Sequence, residues 1–198
     1  MSNVSSSNSH KERSPKLRFG NFSDEWKRVM LSDIASINPT SQELPDVFYY
    51  IDLESVVKGN LIKETVINKA TAPSRAQRVA VLNDIFFQTV RPYQQNNYLF
   101  EKERNLPTVA STGYAQIRTC EVPYFLYELL HTKNFLDQVL IRCTGSSYPA
   151  INGNDLCEIA INIPSHNEQQ VIANFLRLLE KKINLQSKLI DSLKSYKR

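Results

Sequence analysis

The sequence predicts an α+β fold: one mixed α/β domain followed by a long C-terminal coiled-coil helix. Three observations predict it. Asn167 to Arg198 contains neither Gly nor Pro over 32 residues, about 48 Å of helix at about 1.5 Å per residue, where a globular helix averages about a dozen residues. Within that run Ile172, Leu176, Leu179, Ile183, Ile190 and Leu193 follow steps of four and three, interrupted once by Gln186. That is a coiled-coil seam of about three heptads, and one polar interruption fixes its register. Before the run, short aromatic and β-branched stretches alternate with turn residues, then give way to helical patterns.

The helix start is read at Pro164-Ser165-His166-Asn167-Glu168, where Ser165 and Glu168 have the spacing of a capping box. A second apolar stripe, Val171, Phe175, Leu178, Leu185, Leu189 and Tyr196, widens the seam into a face for a helix partner plus a domain or third helix. Its length favours pairing with another helix over folding back onto its own domain. The expected organisation is a disordered tail at 1–14, a domain at 15–164 and the helix at 165–198.

In chain order, Trp26 anchors the edge of the core and Lys27–Leu31 reads as a first strand. Ser32-Asp33 starts a turn of helix that ends before Asn38-Pro39. Phe48–Leu53 is a strand, and Val56–Ile62 a hairpin turning at Gly59. Residues 72–76 form a loop. Gln77–Leu82 and Ile85–Val90 read as strands joined at Asn83-Asp84, and Val109–Thr112 and Tyr114–Thr119 as a pair flanking Gly113. Arg91 to Pro107 is polar, a surface excursion. Pro123 takes the first position of a helix through Leu130, and Asn134–Ile141 continues helical after a break near His131-Thr132. Cys143–Pro149 is a loop and Glu158–Ile163 the last strand.

Apolar content of 41% and charged content of 22% are those of a globular domain. No apolar run reaches the roughly 18 residues of a membrane span, and the first fourteen residues lack the apolar core of a signal peptide. Three cysteines without CxxC spacing suit reduced thiols and a cytoplasmic location. The last helix carries seven basic residues against three acidic, the whole net charge of +4; a basic helix end also complements the helix dipole.

Enzyme signatures are lacking. Five glycines at 20, 59, 113, 145 and 153 write no GxGxxG or phosphate loop. His10, His131 and His166 are too scattered for a metal site, His131 reading as a bonded helix-end residue, and Ser146-Ser147 lacks a hydrolase elbow. DNA-contacting side chains do cluster. Pro73–Arg78 holds Arg75 and Arg78; Thr89–Tyr98 holds Arg91, Tyr93 and the amides Gln94, Gln95, Asn96 and Asn97, a run with little packing use. Arg reads guanine edges, Asn and Gln read adenine edges, and Ser, Thr and Tyr contact phosphate. The plainer alternative is a solvated loop. Tyr114, Ser146 and Ser147 sit beside glycines that offer phosphate contacts or are plain turns.

The chain resembles half of a specificity subunit of type I restriction–modification systems. The residues that carry the resemblance are Pro15–Phe19 with Trp26, Pro73–Ala76 followed by Asn83-Asp84-Ile85, Thr89-Val90-Arg91-Pro92 and Gly145-Ser146-Ser147-Tyr148-Pro149. Ile163-Pro164-Ser165 with Glu168-Gln169-Gln170-Val171-Ile172-Ala173, entering the helix, is the most specific part, and Leu193-Lys194 lies near its end.

The resemblance implies a target-recognition domain that reads one half of a split DNA sequence, and a spacer helix that pairs antiparallel with a counterpart. It implies double-stranded DNA and methyltransferase subunits as partners, and through them the restriction subunit. This chain would hold no cofactor; S-adenosylmethionine is expected on the methyltransferase subunit. Family subunits usually carry two domain–helix units and this chain one, so a homodimer through Ile172–Leu193 is expected. The expected DNA contacts are Arg75, Arg78, Arg91, Tyr93, Gln94, Gln95, Asn96, Tyr114, Ser146 and Ser147. The rival readings are a coiled-coil adaptor whose domain binds only protein, and an enzyme without a familiar signature.

Overall fold

The computed structural model describes Pro15, residues 17–40 and residues 42–196. The expected tail at 1–14, His10 included, lies outside these residues, as do Lys16, Lys197 and Arg198. The chain forms two compact units: Lys27–Asn162, and the stretch through Trp26 together with Ile163 onward.

The larger unit opens with β1 (Lys27–Met30), α1 (Leu31–Ile34) and β2 (Ala35–Ile37). The last three residues are a strand and not the expected helical turn, because β2 finds a partner far along the chain. After β3 (Val47–Ile51), the hairpin at Gly59 forms as expected from β4 (Val56–Val57) and β5 (Asn60–Leu61). Lys58 and Gly59 both take positive φ, 48° and 76°, the conformation a two-residue hairpin turn needs. β6 (Thr65–Asn68), β7 (Ala76–Val79), β8 (Ile85–Gln88), β9 (Tyr98–Leu99), β10 (Thr108–Ser111) and β11 (Tyr114–Thr119) follow.

These strands build two four-stranded sheets, ordered β6-β3-β10-β7 and β2-β11-β8-β9. β10 runs parallel to β3 and antiparallel to β7, while β11 is antiparallel to both β2 and β8.

Two expected strand pairs are therefore corrected: β7 does not pair with β8, nor β10 with β11, since each couple is split between the sheets. A turn does form at Asn83 (φ 72°), with Asp84 N donating to Val81 O. Asp84, however, is fully buried. Its carboxylate accepts from Val81 N and Gln116 Nε2 and takes two bonds from Arg118. The turn is anchored inward and passes the chain from one sheet to the other. Every residue of β8 and of β10 is buried, so apolar surface on both faces drives this layering in place of a simple hairpin.

α2 (Pro123–Leu130) and α3 (Lys133–Arg142) fall where expected, Thr132 Oγ1 capping α3 by accepting from Phe135 N. Phe135 packs edge-on against Phe87, 5.7 Å between ring centres. α4 (Gly153–Cys157), capped by Asn152, shortens the last strand to β12 (Ala160–Ile163) in place of the expected start at Glu158.

The second unit is dominated by α5 (His166–Ser195), 30 residues long. Its expected capping box is absent: Ser165 makes no side-chain cap bond. Glu168 turns away to Arg18, which donates to both its carboxylate oxygens at 2.6 Å, and it also accepts from Trp26 Nε1 at 3.4 Å. A full positive charge within reach holds the carboxylate better than one backbone amide. Phe19 meets Phe175 edge-on at 5.5 Å. From Arg177 to Ser195 every residue of α5 is exposed, and with it the seam from Leu179 and the second stripe from Leu178.

Candidate functional site

In the larger unit, a cleft of about 630 Å³ lies between the end of β8, the β4 region and the loop after α3. Leu53, Val56, Val57 and Val90 give it apolar walls, and Arg75, Gln88, Arg91, Gln94, Asn96 and Tyr148 the polar ones, with exposed Glu54 alongside. Four of the residues nominated from sequence, Arg75, Arg91, Gln94 and Asn96, thus meet at one place.

Local backbone conformation presents Arg91. It sits in the left-handed region at φ 53°, as does Gln95 at 51°, on either side of a 3₁₀ turn at Pro92–Gln94. Non-glycine residues adopt this region at a cost, and it persists where surrounding bonds over-determine it. Arg91 N donates to Pro149 O at 2.7 Å, and Arg91 O accepts from Gln94 N at 3.0 Å. The guanidinium lies 4.3 Å from the centre of the Tyr148 ring, a cation–π arrangement. Tyr148 belongs to a loop closed by reciprocal backbone bonds between Thr144 and Ala150, both 2.9 Å.

The amide run has a packing use after all, which corrects the sequence expectation. Gln94 Oε1 accepts from Gln88 Nε2, Gln95 Nε2 donates to His131 O, and Asn96 Oδ1 accepts from Lys58 N. Asn97, 1% exposed, accepts from Gln88 N and donates from Nδ2 to His131 Nε2. His131 Nδ1 faces Tyr127 O at 2.8 Å, so the ring carries its proton on Nδ1. His131 is the bonded helix-end residue expected.

The nominated residues outside the cleft, Arg78, Tyr93, Gln95, Tyr114, Ser146 and Ser147, are dispersed, whereas Arg75 belongs to it. Exposed Arg75 precedes β7, with its carbonyl accepting from Thr112 N. Arg78, half-buried within β7, has a buried Nε without a hydrogen-bond partner, and burial pushes its guanidinium below the usual arginine value. Tyr93, Ser146 and Ser147 are exposed.

Tyr114 is a correction. It is fully buried, meets Phe86 edge-on, and donates its hydroxyl to Asp52 O. Burial drives its phenol well above the ordinary tyrosine range, and a side chain closed off in the core reaches no ligand. Gln88 and Tyr148 were not nominated. The available signals were a lone amide ending the apolar run Ile85–Gln88, and an aromatic residue in a Gly-Ser-Ser-Tyr-Pro loop.

No group of His, Cys, Asp or Glu among the described residues could hold a metal ion. No helix of the described residues is long and apolar enough to cross a membrane.

Comparison with known proteins fits this arrangement to a family. The family described as "Type I restriction modification DNA specificity domain" matches residues 93–195. The HindI type I restriction enzyme specificity subunit of Haemophilus influenzae is 24% identical over 177 residues, 85% of this chain and 38% of that protein. The HsdS subunit from Thermoanaerobacter tengcongensis superposes with a TM-score of 0.70 at 28% identity, over 83% of this chain and 44% of that one. A chain from a structural study of type I R-M complex assembly gives 0.71 at 26% identity, over 86% and 46%. A type I S subunit from M. genitalium, 17% identical with a TM-score of 0.58 over 90% of this chain and 45% of that one, shares the fold. The chain spans less than half the length of each of these relatives. On the match over its C-terminal half, this protein belongs to the type I restriction–modification DNA specificity domain family.

Proposed function

We propose that this chain is the non-catalytic, sequence-specific DNA-recognition subunit of a type I restriction–modification enzyme, reading one half of a bipartite site. The observation that carries the reading is the convergence of Arg75, Arg91, Gln94 and Asn96 with Tyr148 on one cleft. Arginine forks suit guanine edges and phosphate, and a preorganised fork loses less freedom when it binds. Arg78, whose buried Nε lacks a partner, adds a cation that a phosphate would compensate. Ser146, Ser147 and Tyr93 are exposed and serve as flanking phosphate contacts. Gln95, committed to His131 O, supports the loop.

In this reading residues 15–164 recognise DNA and 165–198 form the spacer. The seam Ile172, Leu176, Leu179, Ile183, Gln186, Ile190 and Leu193, uncovered from Leu179 onward, pairs with a second copy, so that two half-sites face each other across a fixed gap. Methyltransferase subunits, which bring S-adenosylmethionine, and through them the restriction subunit, are directed to the site in the cytoplasm.

The test is selection of bound duplexes from a randomised DNA pool by the full chain, with Arg91→Ala compared against the natural residue. The expected outcome is an enriched half-site for the natural chain, and a loss of about 1–3 kcal/mol of discrimination in the variant. Absence of enrichment, with binding insensitive to salt, would favour the protein-binding adaptor, because phosphate contacts make affinity fall steeply with salt.

A further inference from the structure

The strain around Arg91 needs a cause. Two non-glycine residues four positions apart, Arg91 and Gln95, hold left-handed backbone, and the turn between them is short. One side chain reaches both arms of that turn. Gln88, 2% exposed at the end of β8, donates from Nε2 to Val90 O at 2.7 Å and to Gln94 Oε1 at 2.8 Å. Its Oε1 accepts from Asn96 N at 3.1 Å, while its backbone N donates to Asn97 Oδ1 at 2.8 Å. Both amide hydrogens are used, so the side chain is a clamp across residues 90, 94 and 96. A buried amide that satisfied only itself would not need to span the two arms.

We infer that Gln88 is a positioning residue for DNA reading: it holds the 90–96 turn so that Arg91 is presented, stacked on Tyr148, to the DNA. This inference rests on the DNA-recognition reading above and adds to it a determinant of specificity that itself touches no base. The logic is that of preorganisation. With the clamp in place the guanidinium plane is set before binding; without it, Arg91 can relax to an unstrained backbone and leave the ring. The charge of the surface is unchanged by its loss, so attraction to phosphate persists while discrimination falls.

The test uses the full chain and two readouts. In ¹H–¹⁵N spectra of arginine side chains, the Arg91 Nε–H resonance is displaced by the Tyr148 ring; Tyr148→Leu identifies that displacement by abolishing it. Gln88→Met, which keeps length and removes the bonds, is expected to abolish it too. If Gln88→Met fails to fold, Gln88→Asn, which keeps an amide but falls short of both arms, carries the same expectation.

On the randomised duplex pool, Gln88→Met is expected to lower selectivity roughly ten- to a hundredfold. Binding to unselected duplexes should fall far less than selectivity does, and should stay as salt-dependent as in the natural chain. In the Arg91→Ala background Gln88→Met is expected to cost much less than in the natural chain, because most of its effect passes through Arg91. Persistence of the Arg91 displacement in Gln88→Met, or two losses that multiply in the double variant, would overturn the inference. If Arg91→Ala itself leaves selectivity intact, the DNA reading of Arg91 fails, and the spectra still report separately whether Gln88 positions it.

Discussion

Arg18 and Glu168, 150 residues apart in sequence, are joined by two bonds of 2.6 Å between guanidinium and carboxylate. Glu168 is fully buried. The pair ties the N-terminal stretch to the first turn of α5 and occupies the side chain that would otherwise have capped the helix. Trp26, the single tryptophan of the chain, shares the same carboxylate.

Because Trp26 donates to Glu168, its emission reports on this junction. Glu168→Gln is expected to lower the unfolding midpoint and shift tryptophan emission to the red, since Arg18 loses its counter-charge and the indole one of its bonds. Identical emission spectra before and after the change would show that the carboxylate does not hold the indole.

Arg118 supports the turn that carries the chain between sheets. Its removal leaves the buried carboxylate of Asp84 with bonds from Val81 N and Gln116 Nε2 alone. Arg118→Ala is expected to cost about 3–5 kcal/mol of stability, toward the lower end because part of the guanidinium is in water. Asp84→Asn added to it should recover part of that loss by removing the stranded charge. Denaturant titration measures both; strictly additive losses would refute the pairing.

Tyr114→Phe distinguishes a core role from a DNA contact. Loss of the bond to Asp52 O is expected to cost about 0.5–1.5 kcal/mol, with DNA selectivity unchanged. Burial raises the folded phenol's pKa, so the folded chain holds this proton more tightly than the unfolded one. The resulting stability is fully present below the unfolded value of about 10 and is lost as pH rises beyond it. Tyr114→Phe should therefore flatten the alkaline fall in stability; an unchanged alkaline profile would contradict the assignment.

Leu179 and Ile183 lie on the uncovered part of the seam, 40% and 63% exposed. If α5 pairs two copies, Leu179→Glu with Ile183→Glu should halve the mass seen by light scattering and leave domain melting in place. A mass unaltered by the double change would remove the seam from any role in dimerisation.

What the sequence determined by itself was whatever depends on periodicity and local chemistry. The Gly- and Pro-free run wrote α5, Pro123 placed the start of α2, and Lys58-Gly59 set a hairpin. Arg75 and Arg91 stood out as cations in polar loops, and the motif at Ile163–Ala173 pointed to the family. What only the tertiary structure decided was pairing between distant residues. Strands adjacent in sequence, β7 with β8 and β10 with β11, were sent to different sheets because apolar surface on both faces outweighs the proximity that favours a hairpin. Glu168 left the helix cap for Arg18, since a bidentate charge pair outbids one amide. Tyr114 went inward, and the amides after Arg91 turned to Gln88 and His131. Local spacing carries no record of which partners the folded chain brings together, and buried polar groups must find theirs wherever the fold places them.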